Sequence, residues 1–216
     1  FTGTLICNKI MRTEAKKANL ELIQDIDLKR TMSAIYEYKI GAIVTGKSEF
    51  GPRALGRRSI ICRHDDISMK EKINRRVKHR ESYRPFAGVF TPEQAKEFFW
   101  LSNFDGDLLN KNHLQMTLTE YSKGILTNEN SSIIHIDNSC RLQIARPGVN
   151  KLLDNILNKL ELDFNIRGLL NTSLNMNGQP NCESAEDIIY TYDACNLDFI
   201  VYADENESIY YISQQV

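Results

Sequence analysis

The chain has 216 residues, with 27 Lys and Arg against 28 Asp and Glu, a formal net charge of −1 and 42% apolar residues. That balance describes a soluble globular domain able to bury a real core, and no apolar run reaches the roughly 18 residues that a membrane-crossing helix needs. Five scattered cysteines (Cys7, Cys62, Cys140, Cys182 and Cys195), without a CxxC pair or a Cys/His cluster, exclude zinc sites of the usual spacing and predict reduced thiols in a cytoplasmic protein.

The N-terminal FTGTLICNKI lacks a basic start before an apolar block, so no secretory signal is expected, and Phe1 in place of Met predicts a piece of a longer protein. Residues 28–39 set Leu28, Met32, Ile35 and Tyr36 on one helical face, ended by Gly41. GAIVTG at 41–46 predicts a buried strand that feeds a glycine–proline turn, and RSIIC at 58–62 predicts a second strand. Met69, Ile73 and Val77 recur every four residues, so 66–79 reads as a helix with Asp65 and Asp66 at its start. Pro85 forces an extended chain, and FAGVF at 86–90 returns as a strand. Thr91-Pro92 with Gln94 opens a helix whose apolar face holds Phe98 and Phe99.

The stretch 101–131 shows little pattern beyond a strand at 114–118 and a loop at 124–132. SIIHI at 132–136 and CRLQIA at 140–145 predict a hairpin about Asp137-Asn138-Ser139. Residues 149–161 read as a helix with Leu152, Leu153, Ile156, Leu157 and Leu160 inward, and 166–170 as a strand entering the polar loop NTSLNMNGQP. Ser184 with Asp187 caps a last helix, and DFIVY and SIYYI close the chain as strands. About five helices and eight or nine strands, without a visible linker, predict a single mixed α/β (α+β) domain over 1–216.

Charge is segregated along this chain. Residues 47–84 carry twelve Lys and Arg against five Asp and Glu, net +7, and the remainder is net −8. Such a block suits a multiply anionic ligand, either a phosphorylated small molecule or a nucleic-acid backbone. Within it, GPRALG brackets Arg53 with glycines that let backbone N–H groups approach an anion, and Arg57 and Arg58 add forked donors. In INRRVKHRESYRPF, Arg75 with Lys78 and Arg76 with Arg80 share neighbouring helical faces, and Arg84 follows in the extended tail. Asn171, Thr172, Ser173 and Asn175 follow an apolar strand and either bind a ligand or make an ordinary polar turn. Arg141 in the 140–145 strand either meets an anion or faces water. His135 and Asp137, two residues apart, read as structural rather than as metal ligands.

Taken in order, EFGPRALGRRSI, MKEKINRRVKHRESYRPFA, IIHIDNSCRLQ and LLNTSLNMNGQP resemble the C-terminal domain of the nodulation-protein NodU and antibiotic O-carbamoyltransferase family, over about residues 40–190. The resemblance implies a YrdC-like fold, a twisted mixed sheet flanked by helices. It also implies a partner, an N-terminal metal-binding transferase domain of the same longer chain. The C-terminal domain of that family is understood to turn carbamoyl phosphate and ATP into carbamoyl-adenylate, with loss of phosphate and pyrophosphate, for transfer to an acceptor hydroxyl. Carried over by motif, Arg53, Lys78 and Arg80 become the catalytic candidates, with Arg84, Arg141, Asn171, Thr172, Ser173 and Asn175 joining them in binding. The expected division puts Lys78 and Arg53 on carbamoyl phosphate, Arg141 and Ser173 on phosphate oxygens and Asn175 on the nucleotide. Mg2+ would be held by phosphate oxygens and water, without dedicated protein ligands. Cys140 and Leu174 depart from the family pattern, which has a small residue and an aromatic there.

Two other readings stand beside this one. The basic block could contact RNA, although the few interleaved aromatics, Phe50, Tyr83 and Phe86, make a poor stacking platform. The domain could instead be a non-catalytic docking unit. An oligomer is compatible with the sequence.

Overall fold

The computed structural model describes residues 3–49, 51, 53–81, 83–101 and 117–215. Ten strands form one sheet: β1 Leu20–Gln24, β2 Gly41–Thr45, β3 Arg58–Cys62, β4 Ala87–Phe90, β5 Phe99–Trp100, β6 Thr117–Ser122, β7 Ser139–Ile144, β8 Leu169–Ser173, β9 Phe199–Ala203 and β10 Ile209–Gln214. Their spatial order is β1-β10-β9-β2-β3-β8-β4-β7-β6-β5. The pairs β2–β9 and β4–β7 are parallel, and the other neighbours run antiparallel. Six α-helices flank the sheet: α1 Asn8–Lys17, α2 Lys29–Tyr36, α3 Ser68–Ile73, α4 Pro92–Phe98, α5 Lys151–Phe164 and α6 Ala185–Ala194.

Strand residues alternate between two cores, as the period of two requires. Ala42, Val44, Ile60, Cys62, Leu142, Leu170 and Ile200 join Met11, Met69, Ile73, Ala95 and Ile188 in the core under α1, α3, α4 and α6. Ile43, Ile61, Val89, Leu169 and Val201 join Met32, Ile35, Leu153 and Leu157 in the core under α2 and α5. The expected capping boxes at Thr91/Gln94 and Ser184/Asp187 are both formed. All five cysteines are free, and four are buried. Among the described residues, no helix is long and apolar enough to cross a membrane.

Several elements differ from expectation. The helix at 66–79 is α3 followed by a π-helical turn, Asn74–Lys78, closed by the His79 N–H donating to Asn74 O at 2.6 Å, with His79 itself left-handed at φ 42°. Met69, Ile73 and Val77 are nevertheless all fully buried, as their spacing predicts. The expected first strand of the 132–145 hairpin does not form. Ile134 makes one isolated bridge to Cys140, Ser132 donates through N and Oγ to His64 O, and Ile136 is 91% exposed. The strand predicted at 166–170 starts only at Leu169, because Asn165 (φ 54°) caps α5 and Gly168 (φ 70°) breaks the extended chain. Asn171, Thr172 and Ser173 therefore lie on β8 itself rather than in a loop. Helix α2 keeps Leu28, Met32 and Ile35 buried but leaves Tyr36 53% exposed. Residues 114–116 of the strand expected at 114–118, together with Phe50 and Pro52, lie outside the described residues.

Candidate functional site

One row of residues crosses three strands. Arg141 on β7 faces Ala87 on β4, and Ala87 faces Asn171 on β8. Side chains in one row point to one side of the sheet, here the side that carries Val89 and Leu169 beneath α2 and α5. The methyl of Ala87 is much shorter than its neighbours, so a notch opens between Arg141 and Asn171. Neighbouring strands are about 4.8 Å apart, so the two flanking residues stand roughly 10 Å apart at the backbone. The notch is the floor of a cleft of about 90 Å³, and no helix contributes to its lining among the described residues.

Arg53 reaches this cleft on the loop between β2 and β3. Glu49, buried, holds that loop in shape: its carboxylate accepts the N–H groups of Leu55 (2.8 Å), Arg57 (2.6 Å) and Arg58 (3.0 Å). Ala54 O then accepts from Gln143 Nε2 at 3.0 Å and Asn171 Nδ2 at 3.2 Å, which ties the loop to the sheet beside the cleft. Gly56 is required at φ 92°, where a Cβ would also come within 2.7 Å of the Leu153 side chain.

Arg58 does not serve the cleft. It is fully buried, and its guanidinium donates to Thr45 O, Arg57 O, Thr4 O and Gly46 O at 2.9–3.1 Å. Arg57 donates to Val149 O on the far side of the loop. Of the three arginines in GPRALGRR, the cleft takes Arg53 alone.

The π-helical turn and left-handed His79 separate Lys78 from Arg80. Lys78 is buried, and its Nζ lies 2.6 Å from Ser173 O, 3.0 Å from Asn175 O, 2.6 Å from Asn175 Oδ1 and 3.2 Å from Ser173 Oγ. Ser173 Oγ donates in turn to Asn175 Oδ1 at 2.6 Å. Lys78 thus clamps the end of β8 to the loop that follows. Burial, and then the nearby Arg80 charge, push its ammonium down to about 7. Arg80 lines the cleft, held by Nε to Asn74 Oδ1 (3.2 Å), by Nη2 to Pro85 O (3.2 Å) and by its Cζ 4.5 Å over the Phe86 ring.

Electrostatics identify the cluster independently. Burial lowers the Arg80 pKa first, and the charges of Arg84, Arg141 and Arg53 lower it further. Burial and Arg53 act likewise on Arg141. Guanidinium groups remain protonated, so four positive charges repel one another around one cleft. Glu81 offsets little of this, since it pairs with Arg84 at 3.0 Å out in solvent. No Asp or Glu is among the described residues lining the cleft.

The family described as "Carbamoyltransferase C-terminus" matches residues 32–206. The chain belongs to that family. Nodulation protein NolO of Bradyrhizobium diazoefficiens is 39% identical over 158 residues, covering 73% of this chain and 28% of NolO. The 3'-hydroxymethylcephem-O-carbamoyltransferase of Amycolatopsis lactamdurans is 27% identical over 166 residues, covering 77% of this chain and 30% of that protein. This member of the carbamoyltransferase family therefore spans under a third of the length of those relatives. Full-length HypF, solved in its phosphate- and nucleotide-bound form, superposes with a TM-score of 0.57 at 18% identity, covering 85% of this chain and 24% of HypF. The fold is YrdC-like.

Of the residues singled out by sequence, Arg53, Arg80, Arg141, Asn171, Thr172 and Ser173 line the cleft. Lys78 and Asn175 lie behind it, joined to Ser173. Arg84 stays exposed, and only its charge reaches Arg80. Sequence reasoning missed Glu49, Asn74 and Gln143, which shape the site through backbone and side-chain bonds. Gln143 was within reach, since it sits two residues from Arg141 on one strand and so shares its face. The two departures from family pattern, Cys140 and Leu174, are fully buried in the core on the opposite side of the sheet and leave the cleft untouched.

Proposed function

We propose that this domain binds carbamoyl phosphate and Mg–ATP and forms carbamoyl-adenylate, which an N-terminal domain of the longer protein uses to carbamoylate an acceptor hydroxyl. The observation that carries the reading is the carboxylate-free cleft on which Arg53, Arg80 and Arg141 converge beside the Lys78-braced end of β8. The cleft is narrow, about 90 Å³. It suits one phosphoryl-bearing group and leaves the body of a nucleotide outside. Without a carboxylate, the lining does not hold magnesium itself, and the ion enters with the nucleotide as part of the substrate.

In balance, carbamoyl phosphate and water give carbamate and phosphate. A carbamate oxygen then attacks the α-phosphorus of ATP, forms the C–O–P bond and expels pyrophosphate. Both substrates are polyanions that repel each other, and charge builds further at the attacked phosphorus. Fixed guanidinium groups, already in mutual repulsion, lower that barrier without reorganising. Arg53, Arg80 and Arg141 supply the donors, and Lys78 holds Ser173 and Asn175 in place through its four oxygen contacts. The name of the cephem relative, an O-carbamoyltransferase, supports a hydroxyl acceptor.

The test is release of pyrophosphate from Mg–ATP in the presence of carbamoyl phosphate. The wild-type protein should release it only with both substrates, and Arg53→Ala and Arg141→Ala should abolish release while retaining the melting temperature. No carbamoyl-phosphate-dependent pyrophosphate from folded wild-type protein refutes the proposal.

A further inference from the structure

Almost every side-chain group facing the cleft is a hydrogen-bond donor or can act as one: three guanidinium groups and the hydroxyl of Ser173. Asn171 breaks the pattern. Its residue is 2% exposed, and its Oδ1 has no hydrogen-bond partner among the described residues. The amide cannot simply rotate to hide this oxygen. Nδ2 donates to Ala54 O and to Gln143 Oε1, and Gln143 Nε2 donates to the same Ala54 O. A flipped Asn171 would turn its oxygen against two acceptors, and flipping Gln143 as well would set Gln143 Oε1 against Ala54 O. The interlocked pair fixes Oδ1 as a bare acceptor in an otherwise anion-seeking site.

Acetyl phosphate, a dianion at neutral pH, only accepts hydrogen bonds and cannot satisfy that oxygen. An acyl phosphate whose acyl carbon bears an amino group presents both anionic oxygens for the arginines and an N–H for Asn171. We infer that Asn171 is the specificity residue of this cleft, its Oδ1 accepting a hydrogen bond from the amino group of the bound carbamoyl phosphate, an assignment that rests on the proposed function. A site built around a hydrogen bond discriminates strongly against an analogue lacking the donor, because the buried partner is then left unpaired.

The experiment compares two hydrolysis-resistant probes that differ only in NH2 against CH3, phosphonoacetamide and acetonylphosphonate, by calorimetric titration of the protein, with sulfate as the probe of the arginine cluster. Wild-type protein should bind phosphonoacetamide at least about tenfold more tightly than acetonylphosphonate. Asn171→Leu should bring that ratio near one while sulfate still binds. Equal binding of the two phosphonates by wild type, or an unchanged ratio in Asn171→Leu, overturns the role of Asn171 and leaves the anion site standing. Sulfate binding without measurable binding of either phosphonate overturns the acyl-phosphate reading itself. If Asn171→Leu loses sulfate binding as well, Asn171→Asp decides. It keeps an acceptor oxygen, so the ratio should survive although both affinities fall, and a ratio near one in Asn171→Asp overturns the inference.

Discussion

Replacing Lys78 by Met removes a buried charge and keeps most of its volume, and two large effects then oppose each other. The fall of the ammonium pKa from 10.5 to about 7 corresponds to about 5 kcal/mol against the charged form inside the fold. Losing that penalty stabilises the variant. Against this, the three N–H donors of Lys78 serve oxygens of Ser173 and Asn175, and each bond to a charged group is worth about 1.5–3 kcal/mol, less when they share one ammonium. The two are of similar size, so stability should change by no more than about 2 kcal/mol and Tm by no more than about 8 °C for a domain of this size. Binding should suffer more than stability, because Ser173 and Asn175 lose the clamp that fixes them beside the cleft. Differential scanning calorimetry and sulfate titration on the same preparation check both halves, with sulfate affinity expected to drop about tenfold. A Tm loss beyond about 15 °C would show that Lys78 is chiefly a stability device. An unchanged sulfate affinity would show that the clamp is uncoupled from the cleft.

Arg141→Gln should raise the melting temperature of the ligand-free protein slightly, since it relieves repulsion among Arg53, Arg80 and Arg141, while sulfate binding becomes undetectable; a lower Tm contradicts the account of the cluster. Arg58→Met removes the guanidinium donors from four backbone carbonyls, of which Arg57 O and Thr4 O keep a second donor, and should cost about 3–5 kcal/mol, read as a lower denaturant midpoint at unchanged slope. The folded pKa of Lys78 lies below its unfolded value, so between about pH 7 and 10.5 the unfolded chain binds more protons and stability should rise with pH, the cost of the buried charge being fully present below about 7. Sulfate, which does not itself titrate there, should strengthen the hold of Lys78 on its proton. Its binding should then take up a proton above about pH 7 and weaken by up to about tenfold per pH unit, and calorimetry in two buffers of different ionisation enthalpy reads that uptake directly.

Periodicity and caps made most of the fold legible. Met69, Ile73 and Val77 named a buried stripe, and Thr91 and Ser184 named two helix starts, because those signals are local. Where the sequence misled, a tertiary contact overrode a local preference. SIIHI has strand composition, yet Ser132 is drawn to His64 O and only Ile134 bridges to Cys140. The π-helical turn has no local signature, and neither has left-handed His79. For the site, residue type marked the cations, but type alone could not say which guanidinium would turn inward. Arg53 and Arg58 stand five residues apart in one motif, and the fold sends one to the cleft and the other to four carbonyls.

That separation bears on how the site works. An arginine satisfied by carbonyls has no reason to release them for a ligand, whereas one facing other arginines gains from any anion. Glu49 accepts the three N–H groups of Leu55, Arg57 and Arg58 and so holds the shape of the loop that carries Arg53. Gln143 and Asn171 hold the same loop from below through Ala54 O. The loop that carries Arg53 is therefore held by bonds to its backbone, which a substrate has no need to displace. On the proposed function, an anion entering the cleft meets a scaffold already in place, the condition under which electrostatic stabilisation of a transition state at the α-phosphorus is largest.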